Sequence, residues 1–145
     1  MYLEIEPTKS GKTTRLVDAA VYFLLENADK VVLIVTPTNL SRKKILKSIH
    51  NKCGDLCSKR VITSYKMLEP TETIKQFVDE FDNLLPEKLF LDREAYYTTT
   101  TCNSLKCKEI QQLYENGFYK VSTVTQRVFK IWVGRVVSQQ KIIPL

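Results

Sequence analysis

Long apolar runs are missing from this chain. No stretch approaches the roughly 18 apolar residues needed to cross a bilayer, so no membrane span is expected. The N-terminus lacks a charged segment followed by a short apolar one, which points away from secretion and towards a cytoplasmic protein. Only four glycines and five prolines punctuate 145 residues. No repeat, low-complexity tract or linker interrupts them, so residues 1–145 read as one domain. Cysteine is sparse too: Cys53, Cys57, Cys102 and Cys107, spaced C-x₃-C and C-x₄-C, with His50 just upstream. Zinc pairs are usually tighter, and a cytosolic setting keeps thiols reduced, so ordinary thiols are expected here.

Apolar residues make up 43% of the chain, enough for a real core, and 22 Lys and Arg against 16 Asp and Glu leave a net charge of +6. That balance favours anionic partners, nucleotides or nucleic acid.

The most informative segment is Gly11-Lys12-Thr13. It follows the alternating start Met1-Tyr2-Leu3-Glu4-Ile5 and opens the amphipathic run Thr14-Arg15-Leu16-Val17-Asp18-Ala19-Ala20-Val21-Tyr22-Phe23-Leu24-Leu25. A strand, a tight turn and a helix in that order make a phosphate cradle, because a helix N-terminus offers unpaired N–H groups and the positive end of its dipole. A lysine adds a point charge, and a threonine hydroxyl can hold Mg²⁺. The expected nucleotide contacts are Thr8, Lys9, Ser10, Gly11, Lys12, Thr13 and Thr14, with ATP and Mg²⁺ as ligands. The full P-loop pattern wants a glycine where this chain has Glu6.

Strands and helices alternate along the rest. Strands are expected at 2–5, 31–35, 60–64, 89–91 and 118–124, and helices at 12–27, 41–52, 71–85 and 103–115. Residues 127 onward fit strand or helix equally, and 142–145 suit a short edge strand. Val31-Val32-Leu33-Ile34-Val35 is β-branched throughout its length apart from Leu33, as a strand buried on both faces requires. Alternation of this kind predicts an α/β fold, a three-layer αβα sandwich on a mainly parallel five-stranded sheet.

A P-loop also needs a carboxylate at the end of a neighbouring strand. Two segments compete. In Asp79-Glu80-Phe81-Asp82 the apolar neighbours Ile74, Phe77, Val78, Phe81, Leu84 and Leu85 keep a helical period, which puts the acids on a helix's polar face. Leu89-Phe90-Leu91-Asp92 instead reads as a strand ending in an acid, so Asp92 is expected beside Thr13 at the metal, and Glu94 is expected to polarise an attacking water.

With these residues placed, 1–126 resembles the first RecA-like domain of nucleic-acid-dependent P-loop ATPases, the viral helicases and phage terminase large subunits being the families nearest in pattern. Ser10-Gly11-Lys12-Thr13 resembles the end of Walker A. Val35-Thr36-Pro37-Thr38-Asn39 resembles the segment that touches single-stranded nucleic acid, Val61 to Leu68 the next helicase segment, and Leu89 to Asp92 Walker B. Val121 to Gln126 resembles the strand end that senses the γ-phosphate. The resemblance implies Lys12 at the β- and γ-phosphates and Gln126 as the γ-phosphate sensor; with Glu94, which falls one position after the family's glutamate, these are the expected catalytic residues. It places Thr38 and Asn39 near nucleic acid, single- or double-stranded; Arg42 and Lys43 on the following helix extend that contact, and Tyr65, Tyr96 and Tyr97 are candidate base stackers. Arg93 stands where the family has its catalytic glutamate. The chain holds one RecA-like unit, so the resemblance implies a homo-oligomer in which another subunit supplies an arginine. Two alternatives remain open: a decayed P-loop fold kept as a binding module, and a small nucleoside or nucleotide kinase.

Overall fold

The computed structural model describes residues 2–5, 9–84, 92, 94–99, 119–120 and 142–143. Strand β1 (Tyr2–Ile5) leads into helix α1 (Lys12–Glu26), β2 (Val31–Val35), α2 (Asn39–Ser58), β3 (Val61–Ser64), β4 (Ile74–Val78), a 3-10 turn (Phe81–Asn83) and β5 (Tyr96–Thr99). The two-residue strands β6 (Tyr119–Lys120) and β7 (Ile142–Ile143) follow. The fold is α/β. One sheet carries the strands in the order β3-β2-β4-β5-β1-β6-β7, and every pairing is parallel. The expected strand 89–91 and helix 103–115 lie outside the described residues, as do most of 118–124 and 127–145.

Helix α1 buries Leu16, Val17, Ala20 and Leu24, at helical spacing, against the sheet. Helix α2 adds Ile45 and Ile49 beside it. Its cap is Thr38, whose hydroxyl accepts from the Ser41 N–H at 3.1 Å. The helical path breaks at Gly54, where φ is +74°. The sheet answers both helices with one row of side chains, Val32 and Ile34 of β2, Phe77 of β4 and Tyr96 of β5. Register sets that row, because Ile34 pairs with Phe77 and Phe77 with Tyr96. The Phe77 and Tyr96 rings stack with centroids 5.5 Å apart. Leu33, Gln76, Val78 and Tyr97 alternate onto the opposite face, where Tyr97 meets Phe81 edge-on at 5.1 Å.

The expected helix 71–85 is not formed; Ile74–Val78 is strand β4, in the middle of the sheet. The start signal is real, since the Thr71 hydroxyl accepts from the Ile74 N–H at 3.2 Å, but the chain then extends. A central parallel strand is covered on both faces, so its apolar residues need not alternate. Here Phe77 and Val78 face opposite ways and are both buried. Gln76, which would be costly in such a strand unpaired, has partners throughout: it donates to the Leu68 carbonyl (2.8 Å) and Asp92 (3.0 Å) and accepts from the Leu68 N–H (3.0 Å).

Arg60, one residue before β3, closes the far end of α1. Its guanidinium donates to the carbonyls of Leu24 (2.6 Å) in the last turn of α1, of the cap residue Asn27 (2.7 Å) and of Lys30 in the turn beyond (2.9 Å). Nearby, burial and the adjacent Cys57 thiol push the Cys53 thiol up to about 11.

Two outcomes follow. Arg60→Met should lower stability by about 2 kcal/mol, seen as a lower urea midpoint at unchanged slope. The fold holds the Cys53 thiol protonated more firmly than the unfolded chain does. Its contribution is therefore complete below the ordinary thiol value of 9.0 and is lost as pH rises through about 11. Urea midpoints of Cys53→Ser should fall less steeply over that window than those of the parent.

Candidate functional site

All the strands of a parallel sheet end on the same edge, and α1 begins there. The loop after β1 turns through two residues with positive φ, Lys9 (+63°) and Gly11 (+89°). Gly11 is needed for its positive φ; a Cβ there would also lie 2.9 Å from Nη1 of Arg15, the far end of that flexible side chain, which would have to shift. That guanidinium group supports the loop from beneath. It donates to the Ser10 carbonyl at 2.9 Å and, through Nε at 2.6 Å, to Glu4 of β1, with which it also forms an ion pair. Glu4 is fully buried, and Tyr96 Oη also donates to it, at 3.4 Å. Lys12 is buried in the first turn of α1, which is unusual for lysine, while Thr13 and Thr14 are exposed.

Opposite this turn stands Asp79, the first residue after β4 and 2% exposed. The Thr13 hydroxyl donates to its Oδ2 at 2.9 Å, closing a contact across 66 residues of sequence. The Thr98 hydroxyl of β5 donates to Oδ1 at 2.6 Å and accepts from the Glu80 N–H at 3.1 Å. Glu80 itself takes a left-handed conformation, φ +51° and ψ +50°, uncommon for a non-glycine residue. The result is an acid pair at a strand end, held by one threonine, facing a glycine-turned helix N-terminus. A cavity of about 170 Å³ between α1 and α2 shares Thr13 with this arrangement and is lined further by Thr14, Lys44, Ser48 and Lys52.

Asp92 is not part of this arrangement, contrary to the sequence expectation. It is buried four residues before β5, at the amino edge of the sheet. There its Oδ2 accepts from Gln76 (3.0 Å) and its Oδ1 from the Glu94 N–H (2.9 Å). Glu94 lies at that edge too, lining a cavity of about 370 Å³ with Phe23, Lys30 and Lys75. Burial pulls the Lys75 amine below its ordinary value; it donates to the Glu94 carbonyl. Neither acid is brought to Thr13, because both precede β5 while the loop faces the strands' far ends. Thr8 and Gln126 lie outside the described residues.

The residues expected at nucleic acid divide in the same way. Thr38 caps α2. Asn39 Oδ1 accepts from Arg42 Nη2 at 2.6 Å and from Tyr65 Oη at 3.4 Å, and the Arg42 guanidinium lies 5.2 Å from the Tyr65 ring centroid. Lys43 is exposed on the same helix. Tyr65 is 40% exposed, whereas Tyr96 and Tyr97 are core residues and present no ring for stacking. Burial holds the Tyr97 phenol well above its ordinary value. Among the described residues no helix is long and apolar enough to cross a membrane, and no cluster of His, Cys, Asp and Glu suits a metal bound by protein groups alone.

The helical expectation for 71–85 sets Asp79 and Glu80 aside together, and Glu4 and Thr98 are not singled out by the sequence. A signal was present: Ile74, Phe77 and Val78, β-branched or aromatic, bracket Lys75-Gln76 in a short segment that ends directly in Asp79-Glu80. No known protein family, curated protein or solved structure matches this chain.

Arg15→Met removes the ion pair to the buried Glu4 and the hydrogen bond to the Ser10 carbonyl. A loss of about 3 kcal/mol is expected in denaturant unfolding, against less than about 0.5 kcal/mol for the exposed Lys47→Met.

Proposed function

We propose that this chain is a RecA-like P-loop nucleotide-binding domain that hydrolyses a nucleoside triphosphate with Mg²⁺ and acts on nucleic acid. The observation that carries the reading is the 2.9 Å hydrogen bond between Thr13 and Asp79. It joins the hydroxyl after Gly11-Lys12 to a strand-end carboxylate, and both are oxygen donors of the kind Mg²⁺ takes while keeping several waters. On this reading Ser10, Gly11 and Lys12 hold the β- and γ-phosphates, Thr14 lies along them, and Thr13 and Asp79 hold the metal. Bound there, Mg²⁺ would neutralise charge developing on the phosphoryl oxygens.

Glu80 gains a role that no sequence argument gave it. It follows Asp79 directly, the place in which the resembled ATPases have their catalytic glutamate, and the Thr98 hydroxyl fixes its backbone. Glu80 orients the attacking water, and the departure posed by Arg93 falls away with Asp92. Nucleic acid is assigned to the exposed platform of Asn39, Arg42 and Tyr65, flanked by Lys43 and Lys66. Its cations would meet backbone phosphates and its ring a base, as single-strand binders do. A second copy of the chain would supply the arginine that completes the site.

Phosphate release from Mg-ATP, measured with and without single- or double-stranded nucleic acid, tests the reading. Lys12→Ala and Asp79→Asn should each lower the rate about 100-fold, while Asp92→Asn should keep it within about threefold per folded molecule. A parent protein that releases no more phosphate than Lys12→Ala under every condition refutes hydrolysis.

A further inference from the structure

Thr36 directly follows β2, with the residue 0% exposed and its Oγ1 without a hydrogen-bond partner. A buried hydroxyl left unpaired costs free energy, and such a group in a native fold calls for a physical reason. Only one other buried side-chain polar atom among the described residues shares this state, Oγ of Ser10, and it belongs to the loop between β1 and α1. Both orphans sit at the carboxyl edge of the sheet.

Register places Thr36 closely. Val35 pairs with Val78, and the ladder runs one residue further: the Asp79 N–H donates to the Val35 carbonyl at 2.8 Å and the Thr36 N–H to the Ser64 carbonyl at 3.2 Å. Thr36 and Asp79 are therefore neighbours on adjacent strands. Alternation from Val32 and Ile34 turns Thr36 to the helix-bearing face, the face on which Asp79 meets Thr13. One polar row results, Thr36, Asp79, Thr98 and Glu4. Asp79 bonds Thr13 and Thr98, Thr98 bonds Asp79 and Glu80, and Glu4 bonds Arg15 and Tyr96. Thr36 alone in the row has an idle hydrogen-bonding group, on the side of Asp79 away from Thr98.

We infer that Thr36 is a ligand-contacting residue of the metal–nucleotide site, its hydroxyl bonding an oxygen of the hydrated Mg²⁺–phosphate unit beside Asp79. The inference rests on the nucleotide-binding reading and deepens it. It also divides the segment Thr36-Pro37-Thr38-Asn39: the first residue faces the nucleotide and the last faces the surface platform.

Thr36→Val keeps the shape and removes the hydroxyl; Thr36→Ser keeps the hydroxyl. Titration calorimetry with a non-hydrolysable ATP analogue, with and without Mg²⁺, is paired with thermal unfolding of the ligand-free proteins. Removing an idle buried hydroxyl should leave the unfolding midpoint unchanged or raise it, while Mg²⁺-dependent affinity falls about tenfold; Thr36→Ser should bind as the parent does. Thr36→Ala is a second hydroxyl-free variant with the same expected loss of affinity. Parent-like binding by Thr36→Val and Thr36→Ala overturns the inference and leaves the nucleotide reading standing. A lowered midpoint with parent-like binding also overturns it, by showing a hydroxyl that serves a buried structural water. A parent protein that does not bind the analogue overturns both.

Discussion

The hydrogen bond from Thr13 to Asp79 joins two elements that the sheet itself keeps apart, since β5 lies between β1 and β4. It works only because three conditions hold together. Every strand runs the same way, so the ends of β1 and β4 share one edge. Helix α1 begins at that edge, so its first turn overhangs the strand ends. Residues alternate so that Asp79, two beyond Phe77, falls on the helix-bearing face. A reversal of either strand or a one-residue slip in β4 would send Asp79 to the other face or the other edge. The loop's support has the same origin, for Glu4 pairs with Thr98 in register and reaches Arg15 on that face. Two residues of one helical turn, Thr13 and Arg15, thus tether α1 to two different strands.

Polarity along that face changes sharply within two residues. The row Ile34, Phe77 and Tyr96 is apolar and packs under the helices; the next row towards the edge, Thr36, Asp79, Thr98 and Glu4, is polar and equally buried. Buried carboxylates are costly unless paired, so the second row is stable only with the first turn of α1 over it. Conversely, that turn carries Lys12, Arg15 and the positive end of the helix dipole, which the two carboxylates offset. Fold and site are therefore one structure at this edge.

What the sequence disclosed follows the range of the interactions concerned. The turn at Gly11-Lys12-Thr13, the amphipathic period of α1 and the β-branched run of β2 are set by neighbours in the chain, and each was legible; the cap at Thr38 is equally local, yet the sequence expectation started that helix at residue 41. The identity of β4 was not. Ile74, Phe77, Val78 and Phe81 happen to fall at helical intervals, and a strand covered on both faces has no alternating pattern to oppose that reading. Propensity alone could not decide it, because the deciding fact is tertiary: β2 pairs on both sides, with β3 and with β4. The choice of Asp92 inherited this error, since a helix at 71–85 removed Asp79 from every strand end. Of the three candidate stackers, Tyr96 and Tyr97 take the core places that aromatics more often hold; adjacent aromatics on a buried strand point to opposite faces and fill both layers of the core.

The path from this edge to the surface is short. Thr36 lies beside Asp79, Pro37 follows with its φ fixed by the ring, Thr38 caps α2, and Asn39 holds Arg42 and Tyr65 together. No flexible residue separates the buried row from the exposed platform. Rotation at Thr36 must therefore pass through a rigid proline into the cap. The cap is bonded to Ser41, one position before Arg42, so the first turn of α2 moves with it or the cap breaks. A cap of this kind contributes about 1 kcal/mol, comparable to a single hydrogen bond at the buried row. Forces of similar size thus meet across the four residues from Thr36 to Asn39, and Tyr65 is also held close to them, since the Thr36 N–H donates to the carbonyl of Ser64, the residue before Tyr65.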